Sequence, residues 1–193
     1  MKLAVLFPGI GYTCTKPLLY YAGKIAAGHG YQVFSVAYGG FPKDVKGDPL
    51  KMQMCFVSAC EQAEEMLCHI QWDSYEDVLF IGKSIGTTVA ARYAKEHGVS
   101  ARMILLTPLA ETFRFTNKEA IAFHGTADPW AVTGEIQRAC KEQGILLWLT
   151  EGANHSLETG NVQTDLNTLT ETMRVIDRFV VGSEALDERG QCP

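Results

Sequence analysis

Six short apolar runs punctuate the sequence: KLAVLF, YQVFSVAY, DVLFIG, ARMILLTP, EAIAFHG and GILLWLTEG. Their length and continuous apolar character suit strands buried on both faces. Helix-length segments follow most of them: KPLLYYAGKIAAGHG, Leu50 to Ile70, IGTTVAARYAKEHG, PWAVTGEIQRACKEQG and NVQTDLNTLTETMRVIDRFVVG. In the second of these, Met52, Phe56, Ala59, Ala63, Met66 and Ile70 recur at steps of three and four, one face of an amphipathic helix. Strands alternating with helices demand a parallel sheet covered on both sides. Right-handed crossovers then bring every strand's carboxyl end to one edge, where such folds bind and react. The expectation is an α/β protein, a three-layer α/β/α sandwich on a mainly parallel sheet of about six strands. Residues 1–182 should form one domain, with 183–193 as a polar C-terminal tail.

Composition narrows the class of function. The chain has 193 residues, 47% of them hydrophobic and 20% charged, enough for a full core. Its net charge of −5 comes with no basic stripe, so no nucleic-acid partner is expected. No apolar run reaches the roughly 18 residues of a membrane span. Lys2 precedes only Leu3 to Phe7 before Pro8-Gly9, too short for the apolar region of a signal peptide. Cys14, Cys55, Cys60, Cys68, Cys140 and Cys192 show no C-x-x-C spacing and read as free thiols in a reducing compartment. A cytoplasmic monomer or homodimer is expected, without a membrane partner.

The stretch VLFIGKSIGTTVA admits two chemistries. A phosphate-cradling loop needs a glycine five residues before Gly82, and Asp77 stands there. The residues between are strand-like, leaving no loop to wrap a phosphate. G-x-S-x-G fits instead: a strand turns sharply into a helix, the serine sits at the apex in a strained conformation, and the flanking glycines prevent collision. A serine at such an apex is a weak nucleophile until a base takes its proton, and the base needs a third group to orient it. After the fifth run comes HGTADPW, with Asp128 just beyond the strand end; after the sixth comes EGANHSLE, with His155 in the loop. The order Ser84, Asp128, His155 is the chain order of one hydrolase triad class. Glu111 is a substitute acid, also beyond a strand end, while His124 reads as structural and Lys83 as a solvated side chain or a carboxylate's partner.

GKSIG, HGTADPW and GANHS together resemble the serine, acid and histidine motifs of the α/β-hydrolase superfamily, in the small lidless form of dienelactone hydrolase-like proteins and short esterases. The resemblance covers nearly the whole chain. It implies a reduced α/β-hydrolase fold with no cap domain, since only LAETFRFTNK separates the fourth and fifth runs. It also implies an oxyanion donor from FPGIGYT, where this chain carries Pro8 in place of the family's usual histidine. The backbone N–H groups of Ile10 and Ile85 are assigned to that role, and Tyr12 is a further residue able to approach.

Candidate pocket walls are Tyr12, Tyr38, Phe41, Leu109 and Trp130. The expected substrate is a small-molecule acyl ester or thioester, cleaved through an acyl-enzyme, with no cofactor and no metal. A peptidase or acyltransferase using the same three residues, and a catalytically silent binding protein on the same scaffold, are the alternatives.

Overall fold

The computed structural model describes residues 1–45, 47–116 and 119–182. The expected tail lies outside them. Six strands form one sheet: β1 (Lys2–Phe7), β2 (Tyr31–Ser35), β3 (Asp77–Lys83), β4 (Arg102–Leu106), β5 (Ala120–Gly125) and β6 (Leu146–Thr150). Their spatial order is β2-β1-β3-β4-β5-β6, and every pairing is parallel. Among the described residues five α-helices flank the sheet: α1 (Pro17–Gly28), α2 (Pro49–Leu67), α3 (Ile85–His97), α4 (Thr133–Gln143) and α5 (Val162–Val181).

The unbroken apolar runs have a direct physical reason. Successive side chains on a strand point to opposite faces, and here both faces are covered. Leu3, Val5 and Phe7 of β1 join Phe80, Met103 and Leu105 in a core with Ala59, Ala63 and Leu67 of α2, Val89 of α3 and Ile136 of α4. Ala4 and Leu6 point the other way, with Leu79, Ile81, Ile104 and Ile121, against Leu19 and Ala22 of α1 and Ile176 of α5. Two helices on one side and three on the other make the three-layer sandwich.

Local signals start the helices. At α2, the Asp48 carboxylate accepts from the Leu50 and Lys51 N–H groups and Pro49 takes the first helical position, satisfying donors that the helix itself leaves unpaired. α4 begins four residues later than its sequence suggests, at Thr133 rather than Pro129. The Asp128 carboxylate accepts from the Trp130 N–H at 2.8 Å, an Asx turn, and the chain bends through residues 129–131 before the helix begins. Among the described residues, the passage from β4 to β5 carries only a 3-10 turn at Ala110–Arg114. Among the described residues no helix is long and apolar enough to cross a membrane, and Cys14, Cys55, Cys60, Cys68 and Cys140 are free thiols.

At the amino edge of the sheet, Arg102 ties four elements together. Its guanidinium donates to Asp77 Oδ2 at 2.9 Å and to the Tyr31 hydroxyl at 2.5 Å. It also reaches the Phe179 and Val180 carbonyls at the end of α5, at 2.6 and 3.1 Å. The chemistry-bearing residues gather at the opposite, carboxyl edge.

Candidate functional site

β3 runs straight into α3 through Ser84, whose φ of 57° and ψ of −127° lie outside the regions that side-chain-bearing residues favour. Such a turn closes only if its neighbours are bare. A β-carbon at Gly82 would stand 2.7 Å from Thr87 Cα, and one at Gly86 would stand 2.2 Å from the Phe7 carbonyl oxygen and 2.5 Å from that of Pro8. The turn is thus pressed onto the end of β1, and the loop that follows β1 arrives beside the serine. A β-carbon at Gly9 would already lie 3.1 Å from Ser84 Cβ.

The loops after β5 and β6 are fastened to each other. The Thr126 N–H donates to the Thr150 carbonyl at 3.0 Å and the Ala127 N–H to the Ala153 carbonyl at 3.0 Å. Asn154 then organises the following turn, its side chain accepting from the Ser156 N–H at 2.7 Å. This brings His155 between the other two residues: Nε2 lies 2.7 Å from Ser84 Oγ, and Nδ1 lies 2.6 Å from Asp128 Oδ2. The structure therefore brings Ser84, His155 and Asp128 into one hydrogen-bonded line. Glu111 takes no part in it and lies on the 3-10 turn, at the wall of a cavity.

Burial shapes the protonation of the line. Burial opposes ionisation of Asp128. The hydrogen bond and charge of His155, with the Trp130 N–H, nonetheless hold its carboxyl below the usual carboxylate range. Burial also drives His155 below the usual imidazole value, with the Lys83 charge adding to it and the Asp128 hydrogen bond opposing. A neutral imidazole beside an ionised carboxylate is the state able to accept a proton from the serine.

Ile85 is the first residue of α3, so its N–H is one of the donors the helix leaves unpaired. Ile10 sits between Gly9 and Tyr12, which bridge to each other at N···O distances of 3.0 and 3.2 Å. Both N–H groups therefore come from segments packed against the Ser84 turn.

At Ile85, the residue after Ser84, opens a cavity of about 490 Å³, lined also by Met52 and Phe56 of α2, Leu109 and Trp130, with Glu111 and Arg114 among its polar members. Trp130 also packs on the His155 ring, centroid to centroid 5.7 Å. Of the five expected walls, Leu109 and Trp130 line this cavity, and Phe41 packs beside it with Ile85 and Leu109. Tyr38 and Tyr12 lie elsewhere. The Tyr38 hydroxyl is buried without a hydrogen-bond partner among the described residues, and its ring packs on Phe41. Tyr12 belongs to the core of the opposite face, its phenol oxygen accepting from the Leu18 N–H at 3.1 Å.

Sequence reasoning missed several neighbours. Met52 and Phe56 were legible as part of an apolar helical face, but nothing in their spacing separates core from cavity. Lys83 is not solvated: it is 1% exposed. His124 is fully buried, its Nε2 3.1 Å from Thr133 Oγ1 and its Nδ1 3.7 Å from Asp128 Oδ2. Among the described residues no group of three or more His, Cys, Asp and Glu side chains is arranged to hold a metal ion.

No protein-family model matches the sequence, and no curated protein is significantly similar to it. Solved structures do match. An α/β serine hydrolase homologue from Coxiella burnetii is 16% identical, with a TM-score of 0.63 over 92% of this chain and 84% of its own. An α/β serine hydrolase without a lid from Xanthomonas campestris is 13% identical, with a TM-score of 0.62 over 94% and 81%. Esterase 2 of Thermogutta terrifontis, in a form phosphorylated by paraoxon, is 20% identical, with a TM-score of 0.65 over 94% and 82%. Likeness across so much of each chain at such low identity speaks to architecture: the protein has the α/β-hydrolase fold, in its small form without a lid.

Proposed function

We propose that the protein is a serine hydrolase that cleaves a small carboxylic ester or thioester through an acyl-enzyme. The observation that carries this reading is the line from Ser84 Oγ to His155 Nε2 at 2.7 Å and from His155 Nδ1 to Asp128 Oδ2 at 2.6 Å. In the proposed reaction, Ser84 Oγ attacks the carbonyl carbon while His155 Nε2 takes its proton, and Asp128 stabilises the resulting imidazolium. The carbonyl oxygen becomes an oxyanion and receives the Ile10 and Ile85 N–H groups. Collapse expels the alcohol or thiol, which leaves with the proton from His155. A water molecule then repeats the sequence and releases the acid.

The cavity over Ile85, Leu109 and Trp130 supports an apolar acyl group beside the serine, because burying such a chain there removes it from water. An esterase among the similar structures supports an ester substrate for this chain as well. The test is hydrolysis of p-nitrophenyl esters of graded chain length beside acyl-CoA thioesters, by the wild type and by Ser84→Ala. Turnover of at least one series that disappears in Ser84→Ala is expected. Absence of turnover in both series, or equal turnover by the variant, refutes the reading.

A further inference from the structure

Lys83 directly precedes Ser84, and a lysine only 1% exposed needs a physical account. An ammonium removed from water is costly unless other groups replace its hydration. Among the described residues its nearest stacking partner is an aromatic face: Nζ lies 4.9 Å from the centroid of the Tyr12 ring. Lys16, itself exposed, approaches the same ring at 5.2 Å. Tyr12 is in turn fixed at both ends, by the backbone bridge to Gly9 and by the Leu18 N–H on its phenol oxygen at 3.1 Å. Ile10 lies within that bridged loop.

We propose that Lys83 is a positioning residue: its ammonium, seated on the Tyr12 ring, fastens the loop that carries the Ile10 N–H to the turn that carries Ser84. The inference rests on the serine-hydrolase reading and adds to it a residue outside the Ser84–His155–Asp128 line. Its consequence is a coupling between the charge of one buried amine and the alignment of an oxyanion donor. The groups acting on that amine are Tyr12 and Lys16 from the segment after β1, Asp128 after β5, and His155 and Glu158 after β6. Burial brings the Lys83 pKa down to about 7; Asp128 opposes this, Lys16 adds to it and Glu158 opposes it. As pH rises through that value the amine becomes neutral, the attraction to the ring is lost, and the loop is released.

The experiment measures kcat for p-nitrophenyl butyrate from pH 5.5 to 9.5. Wild type should fall on the alkaline side of neutrality to a lower plateau. Lys83→Met should lie near that plateau throughout, about 10-fold below wild type at pH 6.5, with KM within about twofold, as for an interaction realised in the transition state. Two surface variants report on the amine without touching it. Lys16→Met removes a repelling charge and should move the alkaline limb to higher pH, whereas Glu158→Gln removes an attracting one and should move it to lower pH. Opposite shifts support the proposal even if Lys83→Met does not fold. A limb that neither surface variant moves, or a Lys83→Met enzyme with wild-type kcat and profile, overturns it while leaving the hydrolase reading standing. A wild type that hydrolyses no ester or thioester sinks that reading and this inference with it.

Discussion

Replacing Gly86 by alanine should damage both stability and catalysis, whereas the same replacement at Gly134 should harm neither. Both glycines occupy the second position of a helix, α3 and α4 respectively. Intrinsic preference therefore favours alanine at both, by up to about 1 kcal/mol. The surroundings differ. A β-carbon at Gly134 meets nothing within 4 Å, while one at Gly86 would lie 2.2 Å from the Phe7 carbonyl oxygen and 2.5 Å from that of Pro8. Those are main-chain atoms of a central strand and its loop, so no rotamer change relieves the clash. Reaching even 3.0 Å requires about 0.8 Å of backbone movement. Overpacking of this kind costs roughly 1–3 kcal/mol, more than the helical gain returns.

At roughly 2–4 °C per kcal/mol for a domain of this size, Gly134→Ala should raise Tm by about 1–4 °C. Gly86→Ala should lower it by several degrees. The same displacement moves the Ile10 loop relative to Ser84, and misplacement by about 1 Å can cost on the order of 100-fold in rate. Thermal unfolding followed by circular dichroism, paired with kcat/KM on p-nitrophenyl butyrate, reads both effects. If Gly86→Ala matches Gly134→Ala in Tm and keeps most of its activity, the close packing of the β1 end on the Ser84 turn does not position the site.

Three further outcomes are expected. Asp128→Asn should lower kcat by roughly 10²–10⁴-fold with little change in KM, because the amide no longer fixes the imidazole tautomer or stabilises its cation; pre-steady-state kinetics separate this from a binding defect. In the proposed mechanism His155 works as a neutral base, and its pKa is depressed by burial, so the acid limb of kcat/KM should fall below the ordinary 6.5 of histidine; a limb above 6.5 contradicts this. Arg102→Met should reduce stability by about 1–3 kcal/mol in urea titrations, since four acceptors lose their donor at a site about a quarter exposed. Its kcat should stay near wild type, because Arg102 lies at the opposite edge of the sheet from Ser84.

Much of this was written in the sequence. The strands were legible because burial on both faces demands unbroken apolar runs, and Leu3 to Phe7 bury residues alternately in the two cores. The glycines around Ser84 were legible because a strained turn excludes side chains. Other features were hidden because they depend on what packs where. Met52 and Phe56 share a helical stripe with Ala59 and Ala63, yet the first two line a cavity and the latter two fill the core. Lys83 carries a charge that composition assigns to the surface, and only the Tyr12 ring and the surrounding walls make its burial intelligible. The bends at residues 129–131, which delay α4 to Thr133, are likewise something helical periodicity does not report.

The central claim is that Ser84 is a nucleophile made reactive by His155. Intact-mass measurement after exposure to a fluorophosphonate, with the adduct mapped by peptide sequencing, tests it most directly. One adduct per chain on Ser84, lost in Ser84→Ala and strongly slowed in His155→Ala, is the predicted result. An unmodified wild-type chain, an adduct on another residue, or undiminished labelling without His155 would contradict it.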